Sequence, residues 1–271
     1  MEPFVLKNES LFMIDGWMNR FPGLTAGITS KHGGVGKGSF QSLNMGFHVG
    51  DDVNDVCINR ETVAHLLNFP LESWVGAQQT HDIMIRKISI ADRGTGSNSY
   101  NQAFEGTDGF YTNEKGILLT LCFADCVPLF FIAPKSGMIG AAHAGWKGTV
   151  GGIAREMIIT WEQEGIRPEE IFVAIGPSIC KNCYIVDNRV INLVENILED
   201  VDGKPYNLIN GNQYSLDLRE ANRLLLLKTG VPEENILVTG LCTSCDNSFF
   251  SHRRDKGSTG RILSFIGWKE I

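Results

Sequence analysis

Two wholly apolar runs, set close together, constrain this chain more than anything else in it. Residues 117–123 read I-L-L-T-L-C-F and residues 128–133 read P-L-F-F-I-A. A strand that is apolar on both faces has to be covered on both faces, so both runs belong in the middle of a layered fold. Between them stands A-D-C-V, a sharp break that packing alone explains poorly. Further short apolar runs bounded by Gly or Pro predict strands at 24–29, 74–77, 83–88, 138–142, 171–175, 236–241 and 262–266. The run at 83–88 alternates only in part, which suits a sheet edge.

Helical spacing predicts four helices. One covers 53–68, capped by Asp51 or Asp52. A second covers 148–164 through Ile153, Met157, Ile158 and Trp161. A third covers 188–199. The fourth starts near Ser215 or Asp217, carries Leu218, Ala221, Leu224, Leu225 and Leu227, and stops at Gly230. Helices spread among many strands predict an α/β layered sandwich with a mixed β-sheet. Strict β-α-β alternation is missing, so a simple doubly wound sheet is not expected.

The 271 residues contain no repeat, low-complexity tract or Pro/Ser-rich linker, and are expected to form one domain over 1–271. The net charge of −7 argues against non-specific nucleic-acid binding, which needs a basic surface. No apolar run approaches the roughly 18 residues of a membrane span. The N-terminus lacks the form of a signal peptide. Seven cysteines, an odd number, fit reduced thiols in a cytoplasmic protein better than a disulfide framework.

Three residues at strand ends carry metal-binding chemistry: His81 in A-Q-Q-T-H, Cys126 in F-A-D-C-V-P and His143 in A-A-H-A-G-W-K-G. Imidazole and thiolate suit a borderline cation such as Zn²⁺, and three protein ligands leave the open position of a catalytic site. Taken singly, each is most simply a packed or hydrogen-bonded residue. Their shared strand-end contexts make convergence the sharper expectation. Gly145 and Gly148 allow close backbone approach. Lys147 and the helix that follows offer positive charge to an anion. Arg253 and Arg254 in S-H-R-R-D are candidates for phosphate or carboxylate. Asp125, Asn44 and Arg60 are further candidates, and turn chemistry or helix surface is the plainer reading of the last two.

Two other motifs compete. K-H-G-G-V-G-K-G-S at 31–39 resembles a nucleotide-binding loop, but Gly38 stands where a P-loop needs Ser or Thr, and no helical period follows. A mobile glycine flap is the alternative. Cys180-x-x-Cys183 and Cys242-x-x-Cys245 have the ligands of a four-thiolate zinc knuckle, but the two halves are much farther apart than the usual ~15–20 residues.

The blocks S-K-H-G-G-V-G-K-G-S-F-Q-S-L-N-M-G-F-H-V-G-D-D, A-Q-Q-T-H, T-D-G-F, A-D-C-V-P, A-A-H-A-G-W-K-G, I-G-P-S-I and F-F-S-H-R-R-D resemble, in order and spacing, the YfiH/YlmD family. This is also called the multicopper polyphenol oxidoreductase or laccase-domain family. The resemblance runs from about Thr25 to Trp268. It implies a purine nucleoside phosphorylase that splits adenosine, inosine and methylthioadenosine with phosphate and deaminates adenosine. It places the metal ligands on His81, Cys126 and His143, with Zn²⁺ as the cofactor and Cu²⁺ as the alternative. It also implies a fold like the catalytic domain of cytotoxic necrotizing factor, a cysteine hydrolase fold with a Cys–His pair. One departure is S-I-C-K-N-C after I-G-P. A multicopper oxidase would need about ten histidine ligands, paired as H-x-H; this chain has six histidines and no such pair.

Under that resemblance Asp125 would protonate or hold the leaving purine, and Lys147 with Arg253 or Arg254 would neutralise phosphate. Two rivals remain. In one, a metal-free hydrolase or amidase acting on a cell-wall precursor uses Cys126 as nucleophile, His143 as base and His81 or Asp125 as orienter. In the other, the C-x-x-C pairs stabilise a non-enzymatic zinc module. The sequence does not set the oligomeric state.

Overall fold

The computed structural model describes residues 1–270. Two six-stranded sheets form its centre. The first runs in the order Phe4–Asn8, Leu11–Ile14, Leu24–Thr29, Ile262–Trp268, Leu118–Phe123, Trp74–Val75. The second runs in the order Ile236–Val238, Phe172–Ile175, Val127–Ala133, Met138–Ala144, Gly109–Thr112, Ile85–Lys87. Both are mixed: most pairs are antiparallel, but Trp74–Val75, Ile236–Val238 and Ile85–Lys87 join in parallel. The expectation of one mixed sheet is corrected to two, stacked face to face.

Alternation along single strands explains the stacking. In Val127–Ala133, Phe130 and Ile132 point between the sheets, where they meet Phe4, Ile28, Leu119 and Leu121. Leu129, Phe131 and Ala133 point the other way, onto Ile153, Met157, Trp161 and Leu225 of the helices. The first sheet behaves likewise. Leu119 and Leu121 face the second sheet, while Leu118, Leu263 and Phe265 face the helix Val53–Leu67 through Val63, Ala64 and Leu67. The order of layers is helix, sheet, sheet, helices. Every central strand is covered on both sides, which is why its sequence carries no polar face.

The predicted elements mostly stand. Leu24–Thr29 has the expected bounds, and Ile85–Lys87 does lie at a sheet edge. Asp52 caps Val53–Leu67 by accepting from the backbone N–H of Asn54. Asp217 caps Leu218–Lys228 through the N–H groups of Arg219 and Glu220. The single helix expected at 148–164 is two, Trp146–Gly151 and Ile153–Gln163, because Gly152 adopts φ +85 between them. The strand expected at 236–241 ends at Val238. A small sheet of Ile185–Asp187, Gln213–Leu216 and Tyr206–Asn210 was not legible, since its strands are short and largely exposed. Among the described residues no helix is long and apolar enough to cross a membrane.

Phe130 and Phe131 are both fully buried, on opposite faces of one strand. Each replaced by Ala is expected to cost about 3–5 kcal/mol in chemical denaturation. A strand with one solvated face would give one large and one negligible loss.

Candidate metal centre and active-site cleft

His81 and Cys126 stand in two separate connections and His143 in the strand Met138–Ala144, and the three meet at one end of the space between the sheets. His143 shares the inward face of Met138–Ala144 with Ile139 and Ala141. Its ring lies edge-on to Phe123, with centroids 5.2 Å apart. The His81 and His143 rings are 4.7 Å apart, near perpendicular. One ligand atom from each histidine and the Cys126 sulfur all lie within 4.8 Å of one another. His81 is exposed, Cys126 half-buried and His143 buried, so the cluster closes on the protein side and opens to solvent.

Backbone constraints make this convergence possible. His81 sits at φ +63 and Asp125 at φ +86, both unusual for residues with a side chain. Gly145 passes so close that a Cβ there would stand 2.9 Å from the Cys126 sulfur and 3.2 Å from the His81 ring. Only glycine allows the chain after His143 to turn under the other two ligands.

Asp108 organises the cluster from behind. Its carboxylate is fully buried and lies 2.8 Å from His143 Nδ1. It also accepts the backbone N–H groups of Thr80 (3.0 Å), His81 (3.1 Å) and Asp82 (3.0 Å). Burial alone would push its carboxyl up, but the His143 hydrogen bond and these amides hold it below the usual range. With Nδ1 engaged, His143 presents Nε2 to the cluster. Burial also opposes charge on Cys126 and His143, yet each stabilises the other. The facing imidazoles draw the Cys126 thiol down, and the thiolate with Asp108 draws His143 up. A thiolate and two imidazoles are the donor set that a Zn²⁺ or copper ion takes.

The cluster opens on a cleft of about 420 Å³, lined also by His48, Gln79, Trp146, Tyr184, Arg253 and Arg261. His48 is held neutral, its pKa lowered to about 4 by burial and by Arg261 and Arg60 nearby. The Arg253 guanidinium lies over the Tyr184 ring, 5.0 Å from its centroid. A larger groove of about 940 Å³ beside Val53–Leu67 is lined by Glu61, His65 and Arg93 among others, but contains none of the clustered ligating side chains.

The other expected site residues divide. Asp125 borders the cleft, but both its carboxylate oxygens are engaged: Oδ1 accepts from Thr243 Oγ1 at 2.6 Å and Oδ2 from the Arg253 N–H at 2.7 Å. Arg253 lines the cleft. Arg254 does not; its guanidinium is taken up by the carbonyls of Thr243, Asp246 and Phe249 and by Asp255. Lys147 is exposed, outside the cleft lining, with its ammonium near the Trp146 ring. Arg60 is buried and donates to the carbonyls of Met45, Gly96 and Ser97, so it ties loops together. Asn44 is also buried, and its Oδ1 accepts the N–H of Arg261 at 2.8 Å, holding the chain that carries Arg261. The glycine segment 31–39 lies outside the cleft lining. Sequence reasoning missed Asp108, His48, Tyr184, Trp146 and Arg261. The T-D-G-F block contained Asp108, but nothing local marked its role.

The sequence profile of the family "Multi-copper polyphenol oxidoreductase laccase" matches residues 25–269. The chain is 52% identical over 261 residues to "Purine nucleoside phosphorylase YlmD" of Geobacillus stearothermophilus, covering 94% of this chain and 95% of that one. It is 50% identical to the protein of the same name in Bacillus subtilis, covering 99% and 98%. The crystal structure of YlmD from Geobacillus stearothermophilus superposes with a TM-score of 0.97 at 49% identity over the whole of both chains. The hypothetical protein YfiH of Bacillus licheniformis gives 0.96 at 45% identity, over 99% of this chain and 100% of that one.

Asp108→Asn removes the charge that orients His143 while keeping its size. Metal affinity is expected to fall about 10- to 100-fold, read by competition with a chromophoric chelator, with the circular dichroism of the fold retained.

Proposed function

Because the chain belongs to the multi-copper polyphenol oxidoreductase laccase family, we propose that it acts as a metal-dependent purine nucleoside phosphorylase at the His81–Cys126–His143 cluster. The observation that carries this reading is the convergence of those three ligands on an open cleft flanked by aromatic rings and two arginines. The relatives named as purine nucleoside phosphorylases support the substrate class. Adenosine, inosine and methylthioadenosine are the nucleosides assigned, with adenosine deamination as a second activity.

His81, Cys126 and His143 would hold Zn²⁺, with Cu²⁺ the alternative. Bound there, the ion supplies positive charge at an open coordination position, where it acts as a Lewis acid. The chain's own groups do the rest. Arg253 and Arg261 offer donors and charge to phosphate. Tyr184 and Trp146 supply flat apolar surface for a purine. Neutral His48 supplies one donor and one acceptor for the nucleoside. Asp125 acts as a positioning residue here: it fixes the Arg253 backbone and the Thr243 hydroxyl, and its occupied oxygens do not favour it as the acid for the leaving base. Lys147 and Arg254 have no part in this reading. Phosphorolysis joins a phosphate oxygen to C1′ of the ribose as the bond to the purine nitrogen breaks. Deamination joins water oxygen to C6 of adenine as ammonia leaves. A cytoplasmic setting, where Cys126 stays reduced, belongs to the same proposal.

A second reading has one observation of its own. Cys126, His143 and Asp108 stand in the order nucleophile, base and orienter, with the His143–Asp108 contact at 2.8 Å. A cysteine hydrolase fold like that of cytotoxic necrotizing factor would use such a set without metal.

Incubating the protein with adenosine or inosine, with and without phosphate, separates the cases. The expected result is phosphate-dependent release of the base with ribose 1-phosphate, together with some inosine from adenosine. Cys126→Ala or chelation is expected to lower the rate by about 100-fold or more. Activity that survives chelation but is lost to iodoacetamide would favour the thiol hydrolase instead.

A further inference from the structure

We propose that Cys180, Cys183, Cys242 and Cys245 hold a second, structural Zn²⁺, separate from the His81–Cys126–His143 cluster, which locks together two loops behind the cleft wall. The two C-x-x-C pairs are far apart in sequence but adjacent in space. Ser178 and Cys242 pair as an isolated parallel bridge, and the Thr243 N–H donates to the Ser178 carbonyl at 3.1 Å. The four sulfurs all lie within 4.8 Å of one another. Cys245 is 3.9 Å from Cys180 and 3.4 Å from Cys183, sulfur to sulfur.

These separations decide between chemistries. A disulfide brings its sulfurs to about 2.05 Å, and all four cysteines are free. Four thiolates around one Zn²⁺ at about 2.3 Å stand about 3.8 Å apart along each edge of the tetrahedron. The two separations from Cys245, 3.9 and 3.4 Å, bracket that edge, and all four sulfurs lie close enough to share one ion. Hydrophobic packing is a poor rival explanation, because Cys245 is exposed and Cys180 and Cys183 are half-buried.

The backbone around Cys242 is also arranged for a charged sulfur. The N–H groups of Cys180 and Cys245 both point at Cys242 Sγ, at 3.2 and 3.4 Å. A neutral thiol is a weak acceptor, whereas a thiolate makes good use of such donors. Tetrahedral sulfur ligation with no open position is the pattern of a structural zinc.

The loops so joined carry parts of the cleft. Ile179 and Tyr184 line it from the first loop. The Ile179 N–H donates to the Asp125 carbonyl at 3.0 Å, and the Thr243 hydroxyl of the second loop bonds the Asp125 carboxylate. Arg253 Nη1 reaches the carbonyls of Cys183 and Ile185, each at 3.4 Å. A cation at the four sulfurs therefore fixes both sides of the wall that holds Asp125, next to Cys126. The inference needs no particular reaction at the cleft.

Elemental analysis of the purified full chain, grown with zinc, tests it. The expected content is two Zn²⁺ per chain in the unaltered protein, one in Cys180→Ser/Cys245→Ser, and one in His81→Ala. The cysteine variant is also expected to melt at a lower temperature. Cobalt substitution of the unaltered protein gives a readout that needs no variant: intense visible absorption with the sulfur-to-metal charge transfer of a tetrathiolate. A single Zn²⁺ that disappears in His81→Ala, iron bound in place of zinc, or disulfides detected by mass in the freshly purified protein would each overturn the proposal. A single Zn²⁺ retained in His81→Ala but lost in the cysteine variant would support it while counting against the metal-dependent reading of the cleft.

Discussion

Much of the site depends on one buried carboxylate. Asp108 takes hydrogen bonds from the His143 ring and from three consecutive amides, Thr80, His81 and Asp82. An unpaired charge at that depth would cost several kcal/mol, so the segment carrying His81 has to fold over it. The same contact fixes which nitrogen His143 offers to the cluster. Asp108 also acts through its backbone: its carbonyl accepts the His143 N–H at 2.8 Å at the end of the paired strands Gly109–Thr112 and Met138–Ala144. One residue thus extends the strand pairing and holds both the His81 turn and the orientation of the His143 ring.

The stacked sheets explain why the cluster lies where it does. Between them the space is filled by Phe110, Phe123, Phe130 and Ile139. Apart from a small buried hydroxyl such as Ser264, polar side chains gather at one end of that layer, where strands give way to turns and water can reach. Cys126 and His143 flank the turn-rich end of Val127–Ala133 and Met138–Ala144, which pair over their full length. A residue on the inward face at that end has an apolar wall behind it and solvent in front. Such a setting strengthens interactions between charges and leaves room for a ligand.

The central strands were legible because their signal is local. Burial on both faces leaves a continuous apolar run, and so 24–29, 117–123 and 128–133 could be read directly. The convergence of His81, Cys126 and His143 was legible for a related reason, as reactive side chains at the ends of such runs stand out. What was not legible depends on distance in space. The small sheet at 185–187, 206–210 and 213–216 is mostly exposed, so no apolar pattern records it. Gly152 breaks a helix whose apolar positions continue in phase on its far side. Arg60 and Arg254 looked available for an anion, but the guanidinium groups of both, the first buried and the second half-buried, are taken up by backbone carbonyls. Asp108 gathers amides 26 to 28 residues away, and no window of sequence contains both partners.

The charge of the chain shows how a global quantity misleads about a site. A net charge of −7 would seem to repel phosphate. Exposed charges are screened over about 8 Å at physiological ionic strength, so a distant carboxylate contributes little inside a cleft. There the nearest groups decide. Arg253 and Arg261 line the cavity, while the carboxylates of Asp125, in its wall, and of Asp108, behind His143, are already engaged by hydroxyl, amide and imidazole donors. His48 adds no charge near neutrality, since its burial, with Arg261 and Arg60 nearby, keeps it neutral. Arg253 and Arg261 therefore offer an incoming anion positive charge on the cleft wall, and the acidic exterior does not cancel it.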